Sequence, residues 1–228
     1  MSVQEQIVAR EARHAVILCH PDPHSFNRAI ADRYCEEVHA AGQDVVLRDL
    51  YAMHFDPVLQ AAERPTLPNP IRFGDVTAER NILWGCDVFV LIYPIWFGSP
   101  PAMMKGYVER VFGAGVSPHN VREQTRGDLL GDKRLLSFTT SAMSGPWLAQ
   151  EGQELGLSAV FDDYIVHAFG MHSREHKRFA LITGKTGRNT AATYLCDVAQ
   201  QAQRTCAQIA FGEEALRRDP QLARRFSR

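Results

Sequence analysis

Two hydrophobic patterns alternate along this chain. Short unbroken apolar runs are separated by longer stretches with an apolar residue every third or fourth position. The clearest run is 88–92, Val-Phe-Val-Leu-Ile. Its length and its β-branched and aromatic content predict a strand buried on both faces. Similar runs at 14–19, 44–50, 133–140 and 164–169 predict four more strands. Helical spacing follows several of them. Phe26, Ile30, Tyr34 and Val38 lie four apart after Ser25, a good N-cap, and Gly42 closes that element. Met104, Val108 and Val111 follow Pro100-Pro101, with Gly113 as the stop. Residues 150–161 read as helical, and 190–209 as a last helix with Tyr194, Leu195, Val198, Ala202 and Ile209 as its stripe. Strands alternating with helices predict an α/β chain with a doubly wound, five-stranded parallel sheet and helices on both faces.

Three irregular segments then fall at strand carboxyl ends, the edge where open parallel sheets bind ligands. The first, 20–27, is His-Pro-Asp-Pro-His-Ser-Phe-Asn and leads into a helix. Its free N–H groups and positive dipole end suit a phosphate. The second, 94–99, breaks at Pro94 and carries Trp96 and Phe97; core packing is an equal reading of those two from this stretch alone. The third, 139–147, opens with Thr139, Thr140, Ser141 and Ala142, small residues that offer hydrogen bonds to a ligand. No Gly-x-Gly-x-x-Gly follows the first strand and no complete Gly-x-x-x-x-Gly-Lys-Ser/Thr phosphate loop is present, which disfavours nucleotide dehydrogenases and P-loop enzymes. A planar ligand bearing phosphate fits best. Residues 51–77, rich in proline, form an excursion too long to be idle.

Composition narrows the class. With 228 residues, 45% hydrophobic, the chain is long enough for one large domain over 1–228. Residues 1–13 read as a loose polar arm and 213–228 as a solvated tail. A net charge of -1 provides no field for nucleic acid or an anionic membrane. No run is long enough to span a bilayer, and the polar start does not read as a secretory signal. The five cysteines include no Cys-x-x-Cys pair, so reduced thiols in a cytoplasmic protein are expected, with Cys19 and Cys86 as core residues. No metal site is expected.

The joint pattern resembles a known family. Ser25-Phe26-Asn27, the stretch 49–57 (Asp-Leu-Tyr-Ala-Met-His-Phe-Asp-Pro), Trp96-Phe97-Gly98 with 105–112 (Lys-Gly-Tyr-Val-Glu-Arg-Val-Phe), and Thr139-Thr140 are similar to the flavodoxin-like NAD(P)H:quinone oxidoreductases, which include DT-diaphorase and bacterial relatives. The resemblance covers most of the first 150 residues. It implies a homodimer that reduces quinones by two electrons, taken from NAD(P)H through bound flavin in ping-pong fashion. His20, Ser25, Phe26 and Asn27 would face the phosphates. Pro94, Ile95, Trp96 and Phe97 would lie along the ring, with Thr139, Thr140, Ser141 and Ala142 reaching it from the next strand. The excursion after Asp49 would reach the adenine half, favouring FAD over FMN. The chain departs from the family at three points. Its 94–97 loop is one residue shorter than in DT-diaphorase, Ser141-Ala142 replace a glycine pair, and Trp147 and Gln153 align with the pocket's tyrosine and histidine. No catalytic acid or base is therefore assigned. A flavin-binding regulatory subunit of a potassium efflux system, an azo- or nitro-compound reductase and a flavodoxin-type carrier share this fold.

Overall fold

The computed structural model describes residues 11–123, 128–150, 152 and 156–218, with side chains to 211. Five parallel strands form one sheet in the order β2-β1-β3-β4-β5. They are β1 (Arg13–Leu18), β2 (Asp44–Asp49), β3 (Val88–Pro94), β4 (Arg134–Thr140) and β5 (Ser173–Phe179). Every residue of β3 is buried, as expected of a central strand covered on both sides. On one face lie α1 (Phe26–Ala40) and the final α7 (Arg188–Arg218), with Ile30, Tyr34, Val38, Val198 and Ala202 against Val16, Val90 and Phe138. The other face is covered by α2 (Gly74–Leu83), α3 (Ala102–Tyr107) and α6 (Tyr164–Phe169), through Leu83, Met104, Tyr107 and Ile165. Short helices α4 (Pro118–Arg122) and α5 (Gly145–Gln150) cross the connections.

The register brings the strand ends level. Leu18 pairs with Ile92, and Pro94 with Thr140, so the loops after β1, β3 and β4 emerge together. Connections from β1 lead to β2 on one side, and from β2 back across to β3 on the other. The carboxyl ends of β1 and β3 thus flank the switch point where ligands dock in such sheets.

The fifth strand is not where the apolar pattern puts it. Residues 164–169 form α6, whose Ile165, Ala168 and Phe169 are buried at helical spacing. The strand is the polar run Ser173–Phe179 instead. It lies at the sheet edge, where one side of the ladder is unpaired and polar side chains reach solvent. The arm and tail also shift. Arg13 already belongs to β1, its N–H on Asp87 Oδ2 at 3.0 Å, and α7 runs past 213 to Arg218. Residues 1–10 and 219–228 lie outside the described residues. α2 begins at Gly74, inside the stretch 51–77 read as an excursion.

The 51–77 excursion packs tightly beside α3. A Cβ added to Gly106 would lie 2.2 Å from the Pro57 carbonyl oxygen, so glycine alone admits this approach. Arg110, in the π-helical continuation Val108–Phe112, reaches the excursion and α2 from below. Its guanidinium bonds Glu63 at 2.9–3.1 Å, Asp75 at 2.9 Å and the Asp56 carbonyl at 2.6 Å, and lies over the Phe55 ring. The Cys19 and Cys86 thiols are core groups, as expected: both are fully buried, and burial pushes the Cys19 thiol up to about 12. Among the described residues no helix is long and apolar enough to cross a membrane.

Candidate functional site

A cleft of about 380 Å³ opens at the switch point. The loop after β1 provides His20, Ser25, Phe26 and Asn27. Pro94, Ile95 and Trp96 come from the β3 end, and Thr140, Ser141 and Ala142 from the β4 end. Ten sequence-predicted residues thus meet in one place.

Local chemistry explains the shape of each wall. Ser25 is the N-cap of α1, its Oγ accepting the Arg28 N–H at 3.2 Å. The hydroxyl hydrogen is left to donate, and the first-turn amides of Phe26 and Asn27 have no intrahelical acceptor. His20 Nδ1 lies 3.0 Å from the Asp22 N–H and 3.3 Å from the Asp22 carbonyl oxygen, so the turn holds the ring through Nδ1 and leaves the Nε2 side unbonded. Asp22 is itself tied into the turn by the His24 N–H at 2.8 Å. Asn27 is 2% exposed, and its Nδ2 donates to Thr140 Oγ1 at 2.9 Å. Its Oδ1 is buried with no partner. Turned about its last torsion, the same amide would accept from Thr140 and leave the NH₂ unmet. In either setting, one hydrogen-bonding atom of a buried cleft side chain awaits a ligand.

The second wall is a tight turn. Trp96 and Ser99 exchange N–H···O bonds at 3.0 Å in both directions. Phe97 and Gly98 have φ of 51° and 77°, the left-handed pair of a type I′ turn. Holding a phenylalanine there costs about 1 kcal/mol or more. The result is a fully exposed Phe97 beside a 41% exposed Trp96. Ile95 N–H, on the Thr140 carbonyl at 2.7 Å, ties this turn to β4. Phe97 also meets Met143 and Trp147 in an adjoining 130 Å³ hollow that shares Ile95 and Ser141 with the cleft edge. Aromatic surface left open on a rigid turn suits the stacking of a flat ligand.

A polar end built on a helix start fits a phosphate, and the apolar platform and the half-met buried amide beside it fit a flat ring with hydrogen-bonding edges, the two parts of a flavin nucleotide. The family model described as a flavodoxin-like fold matches residues 12–202.

The chain belongs to this flavodoxin-like family.

An uncharacterized NAD(P)H oxidoreductase of Haemophilus influenzae is 30% identical over 167 residues, 73% of this chain and 82% of that protein. NAD(P)H dehydrogenase (quinone) 1 of Cavia porcellus is 30% identical over 146 residues, 56% of this chain and 53% of that protein. The match thus spans about half the length of the mammalian enzyme. The solved NAD(P)H:quinone oxidoreductase from Methanothermobacter marburgensis shares the fold, with a TM-score of 0.72 at 18% identity, over 86% of this chain and 96% of that one.

Within this flavodoxin-like chain, some predicted residues stand apart from the cleft. Thr139 faces the opposite side of the sheet from Thr140, fully buried, with Oγ1 2.7 Å from His176 Nε2. Trp147 is in the adjoining hollow, and Gln153 lies outside the described residues. The 51–77 excursion does not line the cleft; its Leu59 and Pro65 border a separate 430 Å³ groove with Val108, Val116 and Tyr164. Ile182, Thr183 and Gly184 do line the cleft, and the sequence reading missed them. They follow β5, whose misplacement hid them. The signal was there in Thr-Gly-Lys-Thr-Gly before a long helical pattern, a turn at a helix start.

Proposed function

We propose that this chain is a flavin-dependent NAD(P)H oxidoreductase that reduces quinones by two electrons. The observation that carries the reading is the cleft, where the α1 start, the Trp96–Ser99 turn and the β4 end converge around the unmet Asn27 amide. When bound, a flavin supplies two-electron transfer from a reduced nicotinamide to an acceptor. Ser25 and the first-turn amides of α1 hold its phosphate, aided by the helix dipole. The His20 ring and the Asn27 amide add directed hydrogen bonds. Trp96 and Phe97 wall the ring and exclude water, and nicotinamide and quinone use the same open face in turn.

FAD is favoured over FMN by a second helix start. Thr183 and Gly184 line the cleft a few residues ahead of α7, with Lys185 and Arg188 beside them in sequence, a setting for a second phosphate. The purified protein is expected to be yellow, or to become so with FAD, and heat-released cofactor to chromatograph as FAD. FMN alone would refute the FAD assignment, and failure to bind either flavin would refute the site.

The exposed Phe97, Met143 and Trp147, and the apolar 430 Å³ groove bordered by Val116 and Val121, support a homodimer with Trp147 and the stretch 114–131, of which 124–127 lie outside the described residues, near the partner. Light scattering at micromolar concentration should give a mass near twice the 25.6 kDa chain; the single-chain mass would refute the dimer.

A further inference from the structure

At the amino ends of the strands, away from the cleft, a line of polar side chains joins β1, α1 and α7. His14 is fully buried near the start of β1, level with Val45 and Val88. Its Nε2 lies 2.8 Å from Gln43 Oε1, and its Nδ1 lies 2.8 Å from the hydroxyl of the fully buried Tyr34 on α1. Gln43 Nε2 in turn donates to the Cys206 carbonyl oxygen of α7 at 3.0 Å. The direction of every hydrogen follows from that last contact. A backbone carbonyl only accepts, so Gln43 turns its NH₂ to Cys206 and its Oε1 to His14. Oε1 also only accepts, so Nε2 carries the hydrogen of a neutral His14 ring. Nδ1 is then bare and accepts from Tyr34. An imidazole, an amide and a phenol in a core are costly unless they satisfy one another, and here each contact is a matched pair.

A second proton on His14 breaks this match. Nδ1–H would face the Tyr34 hydroxyl hydrogen, and neither ring nitrogen meets a carboxylate that could balance an imidazolium. The titratable and charged groups around the line are Cys35 and Glu37 of α1, Cys206 of α7, Glu175 of β5 and Asp87 just ahead of β3. Burial pushes the Cys35 thiol up to about 12 and the Cys206 thiol to about 11, and it pushes the Tyr34 phenol far up, so all three stay neutral. Glu37 accepts from Gln203 at 2.7 Å and Glu175 from Gln201 at 2.6 Å, both on α7. Asp87 accepts the Arg13 N–H at 3.0 Å and pairs with Lys133, while the Arg13 side chain is paired with Asp44. Burial is the largest influence on His14 and holds it below its ordinary value, against the Gln43 hydrogen bond and the Asp87 charge, which both favour the proton.

We infer that the Gln43–His14–Tyr34 line is an acid-sensitive latch on α7, whose docking against α1 and β1 loosens when His14 takes up a proton. The docked helix disfavours that proton. Docking is therefore complete above the ordinary imidazole range, about pH 6.5, and weakens as the pH falls below it. One proton changes the opening equilibrium by at most about tenfold per pH unit. Opening reaches the cleft through side-chain contacts. Near its start α7 sets Tyr194 against Phe26 and Phe179, with ring centres 6.4 and 4.9 Å apart, and the Tyr194 hydroxyl donates to the Ala180 carbonyl at 3.3 Å. Phe26 lines the cleft, and so does Ile182, two residues after Ala180. Acid thus removes the backing of one cleft wall, whatever ligand the cleft holds.

The test follows backbone hydrogen exchange in residues 195–209 of the full-length chain, wild type and His14→Gln, between about pH 7.5 and 5.5. Rates are corrected for the intrinsic pH dependence of exchange. Glutamine keeps an N–H for Gln43 and takes up no proton in this range. Opening of α7 in the wild type should rise by up to about tenfold across the span, and the variant should stay flat. In parallel, nitrogen-15 histidine NMR of the wild type reads the His14 ring directly, a readout that survives if His14→Gln fails to fold. At about pH 6.5 the ring should be neutral, with its hydrogen on Nε2, where a free imidazole is half charged. A ring half charged at that pH, a hydrogen on Nδ1, or an opening with the same pH dependence in wild type and variant would overturn the latch.

Discussion

Replacing Arg110 with leucine is expected to cost about 3–5 kcal/mol of stability, because it strands the buried Glu63 carboxylate. Arg110 and Glu63 side chains are 3% and 5% exposed, and three of their hydrogen bonds join the two groups directly. Burial opposes the guanidinium charge, yet Glu63 and Asp75 together raise the Arg110 pKa above its usual value. Asp75 is half exposed and contributes little by itself. For a domain of this size, the loss corresponds to a melting temperature lower by about 6–20 °C. Glu63→Leu in the same background should restore most of it, since an apolar pair replaces the ion pair at little cost. A thermal melt of the two variants decides the matter. A drop under about 1 kcal/mol for Arg110→Leu would mean that the excursion is not held by this pair.

The second large effect is at Ser25. Its two roles, cap and phosphate donor, are compatible in the structure, because Oγ accepts from Arg28 while its hydrogen is left over. As a cap alone, Ser25→Ala costs about 1 kcal/mol of stability and leaves flavin affinity nearly unchanged. As a phosphate ligand, it also loses a charge-assisted hydrogen bond worth roughly 1.5–3 kcal/mol. Flavin binding should then weaken by about 10- to 150-fold. Titration of apo-protein with FAD separates these cases. Dissociation constants that agree within about twofold, together with a lower melt, would leave Ser25 as a cap only.

Much of this architecture was legible where one physical cause dominates. β1 and β3 are apolar because both faces are covered, and α1 shows its buried stripe because one face alone is covered. The edge strand β5 was not legible. Ser-Arg-Glu-His-Lys-Arg-Phe has no apolar run, because an edge strand has water on one side and His176 in a buried polar network. The neighbouring 164–169 run is as apolar as a strand, and only its tertiary packing makes it a helix. That exchange also hid the Ile182–Gly184 wall and the Asp162–His176 contact. Cleft residues were legible because loops at strand carboxyl ends converge by topology, which is why ten of them meet. Thr139 was misassigned by the period of two: adjacent strand residues face opposite sides, so Thr139 and Thr140 cannot both point into one cleft.

The central claim is that the cleft carries electrons from reduced nicotinamide to quinone. An anaerobic stopped-flow trace of FAD-loaded protein, mixed first with NADPH and then with benzoquinone, tests it most directly. Fast bleaching of the flavin absorbance, followed by fast recovery on quinone addition, is the predicted result; absence of bleaching, or bleaching without quinone-driven recovery, would contradict it.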